Sequence, residues 1–149
     1  MFHFFRHAVI SLTIAAGCAV LTPAMALAAQ SATAPCGASA SACISLSSHQ
    51  AWLMSGGQVT YGPTAITSGR PGQRTPPGVF HVLWKDKNHR SPEFHNAPMP
   101  YSVFFTNTGI AFHEGSLSKA SAGCIHLSHN AATTFFSKLS VGQVVQVVA

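Results

Sequence analysis

The stretch "HEGSLSKASAGCIHLSHNAATTFFSKL", residues 113–139, runs from a histidine through a polar loop to a glycine–cysteine pair and then into a helical pattern. Ala131, Ala132, Phe135, Phe136 and Leu139 fall at i, i+1, i+4, i+5 and i+8, one apolar face of a helix, and Ser128 is placed to cap its first turn. Val141-Gly142 closes that pattern, and "QVVQVV" after it reads as a final strand.

Outward from this helix the regular signals are β. "AWLMSGGQVTYG" sets two apolar runs around Gly56-Gly57, and "YSVFF" and "IAFH" flank Asn107-Thr108-Gly109, so each reads as a hairpin, the second ending on His113. "GVFHVLW", residues 78–84, alternates Val79, His81 and Leu83 against Phe80, Val82 and Trp84, as a strand does. Between Lys85 and Pro100, "KDKNHRSPEFHNAPMP" is polar and proline-rich and reads as an irregular lid or rim loop of a site. The expectation is an α+β domain, mainly β, with one helix following the cysteine.

A chain of 149 residues has room for one domain once a targeting segment is set aside. Arg6, the apolar run Ala8 to Leu21, and the small residues at Ala24-Met25-Ala26 or Ala26-Leu27-Ala28 have the form of a secretory signal peptide over residues 1–28. That run is shorter than the ~20 residues a spanning helix needs, so no stable membrane span is expected after cleavage. Residues 29–42, small, polar and proline-bearing, read as a linker to a domain over 43–149. The chain holds eight Lys/Arg against Asp86, Glu93 and Glu114, a formal charge of +5. The basic residues are scattered, without the run or aromatic interleaving of a nucleic-acid binder, so no nucleic-acid partner is expected.

Export places the chain in an oxidising periplasm or cell envelope, where cysteines pair. Three remain beyond the signal segment: Cys36 and Cys43, close in a turn-rich stretch, form the natural local bridge, and Cys124 is left free. A free thiol becomes a nucleophile when an imidazole takes its proton or holds the thiolate as an ion pair. His113 at a strand end and Cys124 across a loop are placed for that pairing, and Gly123 lets two backbone N–H groups turn toward an oxyanion. Two other readings stand beside this one. Cys124 is a buried structural thiol, or Cys124, His113, His126 and His129 hold a metal, although C-x-H-x-x-H matches none of the common zinc spacings.

"TPPGVFHV" at 75–82, "AFHEGS" at 111–116 and "SAGCIHLS" at 121–128 resemble, in order, the three signature segments of the L,D-transpeptidase (YkuD-type) catalytic domain. The resemblance covers about residues 43 to 148 and implies a β-sandwich-like fold with a helix. It also implies an exported enzyme without cofactor or metal that forms a thioester with a peptidoglycan tetrapeptide stem. The acyl group then passes to an amine, or to water in an L,D-carboxypeptidase. Residue by residue, it implies Cys124 as nucleophile, His113 as base, the Glu114 carbonyl as the group orienting the base, and Gly123 with Cys124 as oxyanion donors. Arg70, Arg74 and His126 become candidates for stem carboxylates, and Tyr101 and Phe112 for the cleft lining. Ala122 stands where the family has His, and His126 where Arg or Asn is common. The alternative that Ala122 raises is a catalytically degenerate peptidoglycan-binding module.

Overall fold

The computed structural model describes residues 33–149; the expected signal peptide over 1–28 and the start of the linker lie outside the described residues. In chain order the strands are β1 (Ala42–Ser45), β2 (Gln50–Ser55), β3 (Gln58–Ala65), β4 (Gly78–His81), β5 (Trp84–Ser91), β6 (Ala97–Phe104), β7 (Ala111–Glu114), β8 (Ile125–Leu127) and β9 (Val144–Val148). A 3-10 turn (Pro92–Phe94) links β5 to β6, and the helix α1 (His129–Lys138) lies between β8 and β9. They build a five-stranded sheet ordered β3-β2-β1-β9-β4 and a four-stranded sheet ordered β5-β6-β7-β8, antiparallel except at β1–β9 and β7–β8. The fold is therefore the mainly β, α+β sandwich with one helix that the sequence implies.

Both sheets and α1 share one core. Ile44 and Leu53 from the first sheet, Val103 and Phe112 from the second, and Ala131 and Phe135 from the helix are all buried in it. Phe135 meets Tyr61 edge-on at 6.1 Å and Phe112 at 5.0 Å, so the expected helix face is the one that packs. Ser128 caps α1 as its sequence predicts, its Oγ accepting from the Ala131 N–H. Both expected hairpins form, β2–β3 about Gly56-Gly57 and β6–β7 about Asn107-Gly109.

The strand expected over 78–84 is divided between the sheets. Phe80 pairs with Val145 of β9, Val82 exchanges backbone bonds with Gln143 and Gly142, and the Leu83 N–H then donates to the Phe104 carbonyl at 2.8 Å. Val82 and Leu83 thus hand the chain from one sheet to the other. The segment expected to be an irregular loop over 85–100 is mostly a β-hairpin, with Asp86 opposite Ser102 and Arg90 opposite Pro98. Prolines are tolerated there because β7 pairs only with Val103 and Phe104, which leaves the first half of β6 an edge where a missing N–H breaks no ladder.

The linker expected over 29–42 reaches the domain early. Ala34 and Ala40 are buried with Cys43, Trp52 and Met54, and Cys36 is bonded to Cys43, so the described part of that stretch covers the outer side of β1 and β2. Alternation explains the position: Ala42 and Ile44 point into the shared core, and Cys43 points away from it. No helix among the described residues is long and apolar enough to cross a membrane.

Candidate active site

Alternation along β7 buries Phe112 in the core and sends His113 to the opposite face. β8 runs parallel beside it, Ile125 opposite Phe112 and His126 opposite His113, so Cys124, just before Ile125, emerges on the His113 side. His113 and Cys124 line one cavity of about 610 Å³ with Trp84, His89, Met99 and Phe104.

His113 Nδ1 lies 2.7 Å from the Glu114 carbonyl oxygen. A carbonyl only accepts, so Nδ1 carries the ring proton and Nε2 keeps its lone pair. Burial pushes His113 down to about 4 from its usual 6.5; the Glu114 carbonyl opposes the shift, and repulsion from His126 and His89 adds to it. Cys124 packs against Met99, Phe104 and Ala111, and burial pushes its thiol up, partly offset by a hydrogen bond with the Ala111 backbone. Desolvation of both groups favours a resting pair of neutral thiol and neutral imidazole over the ion pair that proximity alone suggests.

The turn that carries the thiol is tied at several points. Ser121 is buried, and its Oγ donates to the Cys124 carbonyl at 2.6 Å while accepting from the Gly123 N–H at 2.9 Å. Thr75 is buried too; its Oγ1 donates to the Gly123 carbonyl at 2.6 Å and accepts from the Gly69 N–H at 3.1 Å. Backbone bonds from Arg70 N–H to the Ser121 carbonyl and from Ser121 N–H to the Ser68 carbonyl zip the turn to residues 68–70. Gly123 has φ +125°, a conformation side chains rarely adopt, so glycine is required there. Its N–H, however, is committed to Ser121 and is not a free oxyanion donor. The Cys124 N–H has no acceptor among the described residues and remains open to an oxyanion.

His126 stands edge-on to His113 with ring centroids 4.8 Å apart. Its Nδ1 lies 3.0 Å from both the Ser116 carbonyl and Thr67 Oγ1, and since the carbonyl only accepts, this nitrogen also carries a proton. Gly115 makes room for the ring: a Cβ there would fall 2.6 Å from His126 Cγ and Cδ2.

The model of the YkuD L,D-transpeptidase catalytic domain matches residues 39–147, which takes in β1 to β8, all but the last residue of β9, and the whole cavity wall. The chain belongs to this family. Among solved structures it is similar to an L,D-transpeptidase from Stackebrandtia nassauensis, at 26% identity and a TM-score of 0.68 over 72% of this chain and 54% of that one. It is similar also to the LD transpeptidase LdtMt1 in complex with imipenem, at 26% identity and 0.63 over 70% and 56%. A third is L,D-transpeptidase 1 of Mycobacterium tuberculosis, at 26% and 0.62 over 71% and 59%. The chain thus spans little more than half the length of the solved proteins it matches. No curated protein matches it.

Of the residues that the resemblance to L,D-transpeptidases nominated, Cys124, His113, Glu114, His126 and Arg70 line the cavity. Gly123 does not line it, and neither do three of the nominated side chains. Phe112 is fully buried against Phe105 and Phe135, since neighbours of His113 in a strand face the other way. Tyr101 sits on α1, against His129 at 5.6 Å and Phe136 at 5.8 Å. Arg74 lines a separate groove with Leu46, His49 and Pro77. His129 turns to Glu114, with Nδ1 2.9 Å from Oε2. Sequence reasoning missed the clips Ser121 and Thr75 and the aromatic wall, where Trp84 stacks on Phe104 at 3.7 Å. Thr75 stands first in "TPPGVFHV", and Ser121 opens "SAGC", so the signal lay inside the quoted motifs without a role attached.

Proposed function

We propose that this protein is an exported L,D-transpeptidase that acylates Cys124 with a peptidoglycan tetrapeptide stem. The observation that carries the reading is the pairing within one cavity of a thiol, Cys124, and an imidazole, His113, whose Nδ1–H is anchored on the Glu114 carbonyl. His113 Nε2 takes the thiol proton as Sγ attacks the carbonyl carbon of the L,D-peptide bond. The Cys124 N–H receives the oxyanion, and as the C–N bond breaks His113 returns the proton to the leaving D-amino acid. The thioester is discharged by an acceptor amine, or by water in the carboxypeptidase variant. Arg70 and His126 on the nucleophile-loop side are the groups for stem carboxylates. The Cys36–Cys43 bond is in keeping with an oxidising envelope compartment. Because a related L,D-transpeptidase binds imipenem, a carbapenem is the expected covalent probe of Cys124.

Intact-mass analysis of the protein incubated with disaccharide tetrapeptide, with and without an acceptor amine, tests the reading. The expected result is an acyl adduct lost on Cys124→Ala and a cross-linked product when the amine is present. A protein that takes up no acyl group and no carbapenem at Cys124 overturns it.

A further inference from the structure

The β5–β6 hairpin changes face part-way along. Its register is the same from Trp84 opposite Phe104 to Ser91 opposite Ala97, skipping only Lys87 and Tyr101, so strand alternation would put Trp84 and His89, five apart, on opposite faces. They are on the same one: both line the cavity, their rings 5.4 Å apart. Phe104 and Met99, also five apart, likewise share the Cys124 wall. The change of face falls at Tyr101, whose φ of +57° is rare for a residue with a side chain, and Ser102 Oγ fixes the bend by donating to the Met99 carbonyl at 2.8 Å. The outcome is a hairpin tip that brings His89 over the cavity.

His89 is held there on three sides. Its ring stands edge-on to Trp84 and, at 5.0 Å, to Phe104, the residue that also packs against Cys124, and its Nδ1 lies 3.3 Å from Asp86 Oδ2. With Nδ1 engaged by a carboxylate, Nε2 is the nitrogen left for the cavity. The chain has three acidic side chains in all, and two of them stand on this side. Glu93 lines the cavity and Asp86 stands behind His89, while the Glu114 carboxylate turns to His129. In a protein of net charge +5, this cavity is where an ammonium group meets negative charge. Arg70 lies on the nucleophile-loop side, so the cavity sets a guanidinium for the donor's carboxylate apart from a wall suited to a cation.

We propose that His89, oriented by Asp86 on the hairpin wall, receives the acceptor amine and takes its proton in the second half-reaction. The inference rests on the thioester reading above. The acceptor enters as an ammonium and loses one proton to His89 Nε2 as its nitrogen approaches the thioester carbon. The C–N bond forms, the carbonyl electrons move to oxygen and return, and the C–S bond breaks. The second nitrogen proton reaches Sγ through His113 Nε2, restoring the thiol, and His89 releases its proton to solvent. Water needs no such cation wall, so the residue bears on aminolysis and not on thioester formation.

The test forms the Cys124 thioester from disaccharide tetrapeptide and follows its discharge by a lysine-containing tripeptide, a cationic amine, or by hydroxylamine, which is largely uncharged at neutral pH. His89→Gln is expected to slow discharge by the lysine peptide about 100-fold relative to discharge by hydroxylamine. Asp86→Asn shifts the same ratio in the same direction by less. Equal discharge by the lysine peptide in parent and His89→Gln overturns the inference alone, as does an equal loss with both amines, which marks a structural role. A parent protein that forms no thioester overturns the proposed function and this inference with it.

Discussion

Ser121 Oγ accepts a hydrogen bond from the Gly123 N–H at 2.9 Å, so the amide that a glycine–cysteine turn would offer to an oxyanion is already used. The same oxygen donates to the Cys124 carbonyl at 2.6 Å and so closes the turn from both ends. Ser121→Ala leaves a buried N–H and a carbonyl without partners. Each unsatisfied buried group costs about 1–3 kcal/mol. The variant is expected to lose stability on that scale in urea denaturation, and to acylate about 100-fold more slowly through misplacement of Sγ. Parent-like acylation would show that the turn holds its shape without the clip.

The protonation states of the pair set the pH behaviour. With His113 depressed to about 4 and the thiol raised, both are neutral across the mid-range. Acylation by proton transfer to Nε2 should therefore persist well below pH 6 and fall only as His113 protonates near 4. Alkylation of Cys124 by iodoacetamide should rise only on the alkaline side, with no plateau at neutral pH. A neutral-pH plateau abolished by His113→Gln would restore the ion-pair description.

The same depression bears on stability. The folded His113 value lies below the unfolded 6.5, so the unfolded chain binds the extra proton first as pH falls. The contribution is fully present above 6.5 and is lost as pH falls toward 4, on the order of 3 kcal/mol. Chemical denaturation at pH 7 and pH 4 should show this drop, reduced in His113→Gln.

Gly69 packs closely against residues 73–75, the segment that carries the Thr75 clip on the nucleophile turn. A Cβ on it would collide with the Gln73 carbonyl oxygen and fall 2.7 Å from Thr75 N, and Thr75 holds the Gly123 carbonyl. Gly69→Ala should lose roughly 1–3 kcal/mol by overpacking and slow acylation, although Gly69 touches neither the thiol nor His113. Gly72→Ala is a useful contrast, with open space around its Cβ position but a φ of +83°. It should cost stability without the same loss of acylation.

How far the sequence could be read depends on where a side chain's direction is set. α1 was legible because its partners are fixed by a 3.6-residue period and a local cap at Ser128. His113 and Cys124 were legible because their chemistry and a three-segment resemblance named them. Phe112 was misplaced, although alternation beside His113 already requires it to face the core. Tyr101 and His89 depend on one backbone angle, φ +57° at Tyr101, which exchanges the faces of the hairpin and leaves no mark in hydrophobic period. The prolines of 92–100 suggested a loop, since their tolerance comes from an edge that exists only once β6 and β7 are paired. Ser121 and Thr75 are short polar residues whose bonds close on backbone atoms, and composition does not distinguish them from surface serines and threonines.

The Cys36–Cys43 bond pins residues 34–40 over Trp52 on the side of β1 and β2 away from the shared core. Its loop is short, so replacing both cysteines by alanine should cost near the low end of the ~2–4 kcal/mol usual for disulfides. Acylation of the folded variant should be unchanged, because neither half of that cluster lines the cavity. A loss of acylation at full folding would mean that the outer side of the five-stranded sheet is coupled to the site.

Ala122 is the position where this chain departs most from its family at the nucleophile, and the structure bears on what the departure does. Ala122 lines the cavity and sits in a turn already closed by Ser121 on one side, by Thr75 on the Gly123 carbonyl, and by backbone bonds to Ser68 and Arg70. An imidazole added there would find the turn held, so it has little positioning left to contribute. It would also take up space in the cavity beside His113 and His126. Ala122→His should therefore give no acceleration of single-turnover acylation. A gain of tenfold or more, about 1.4 kcal/mol of barrier, would show that Ser121 and Thr75 leave the turn loose and that the alanine slows the enzyme. The same measurement separates a competent, differently clipped turn from a degenerate one, since a degenerate turn gains acylation only when the imidazole is supplied.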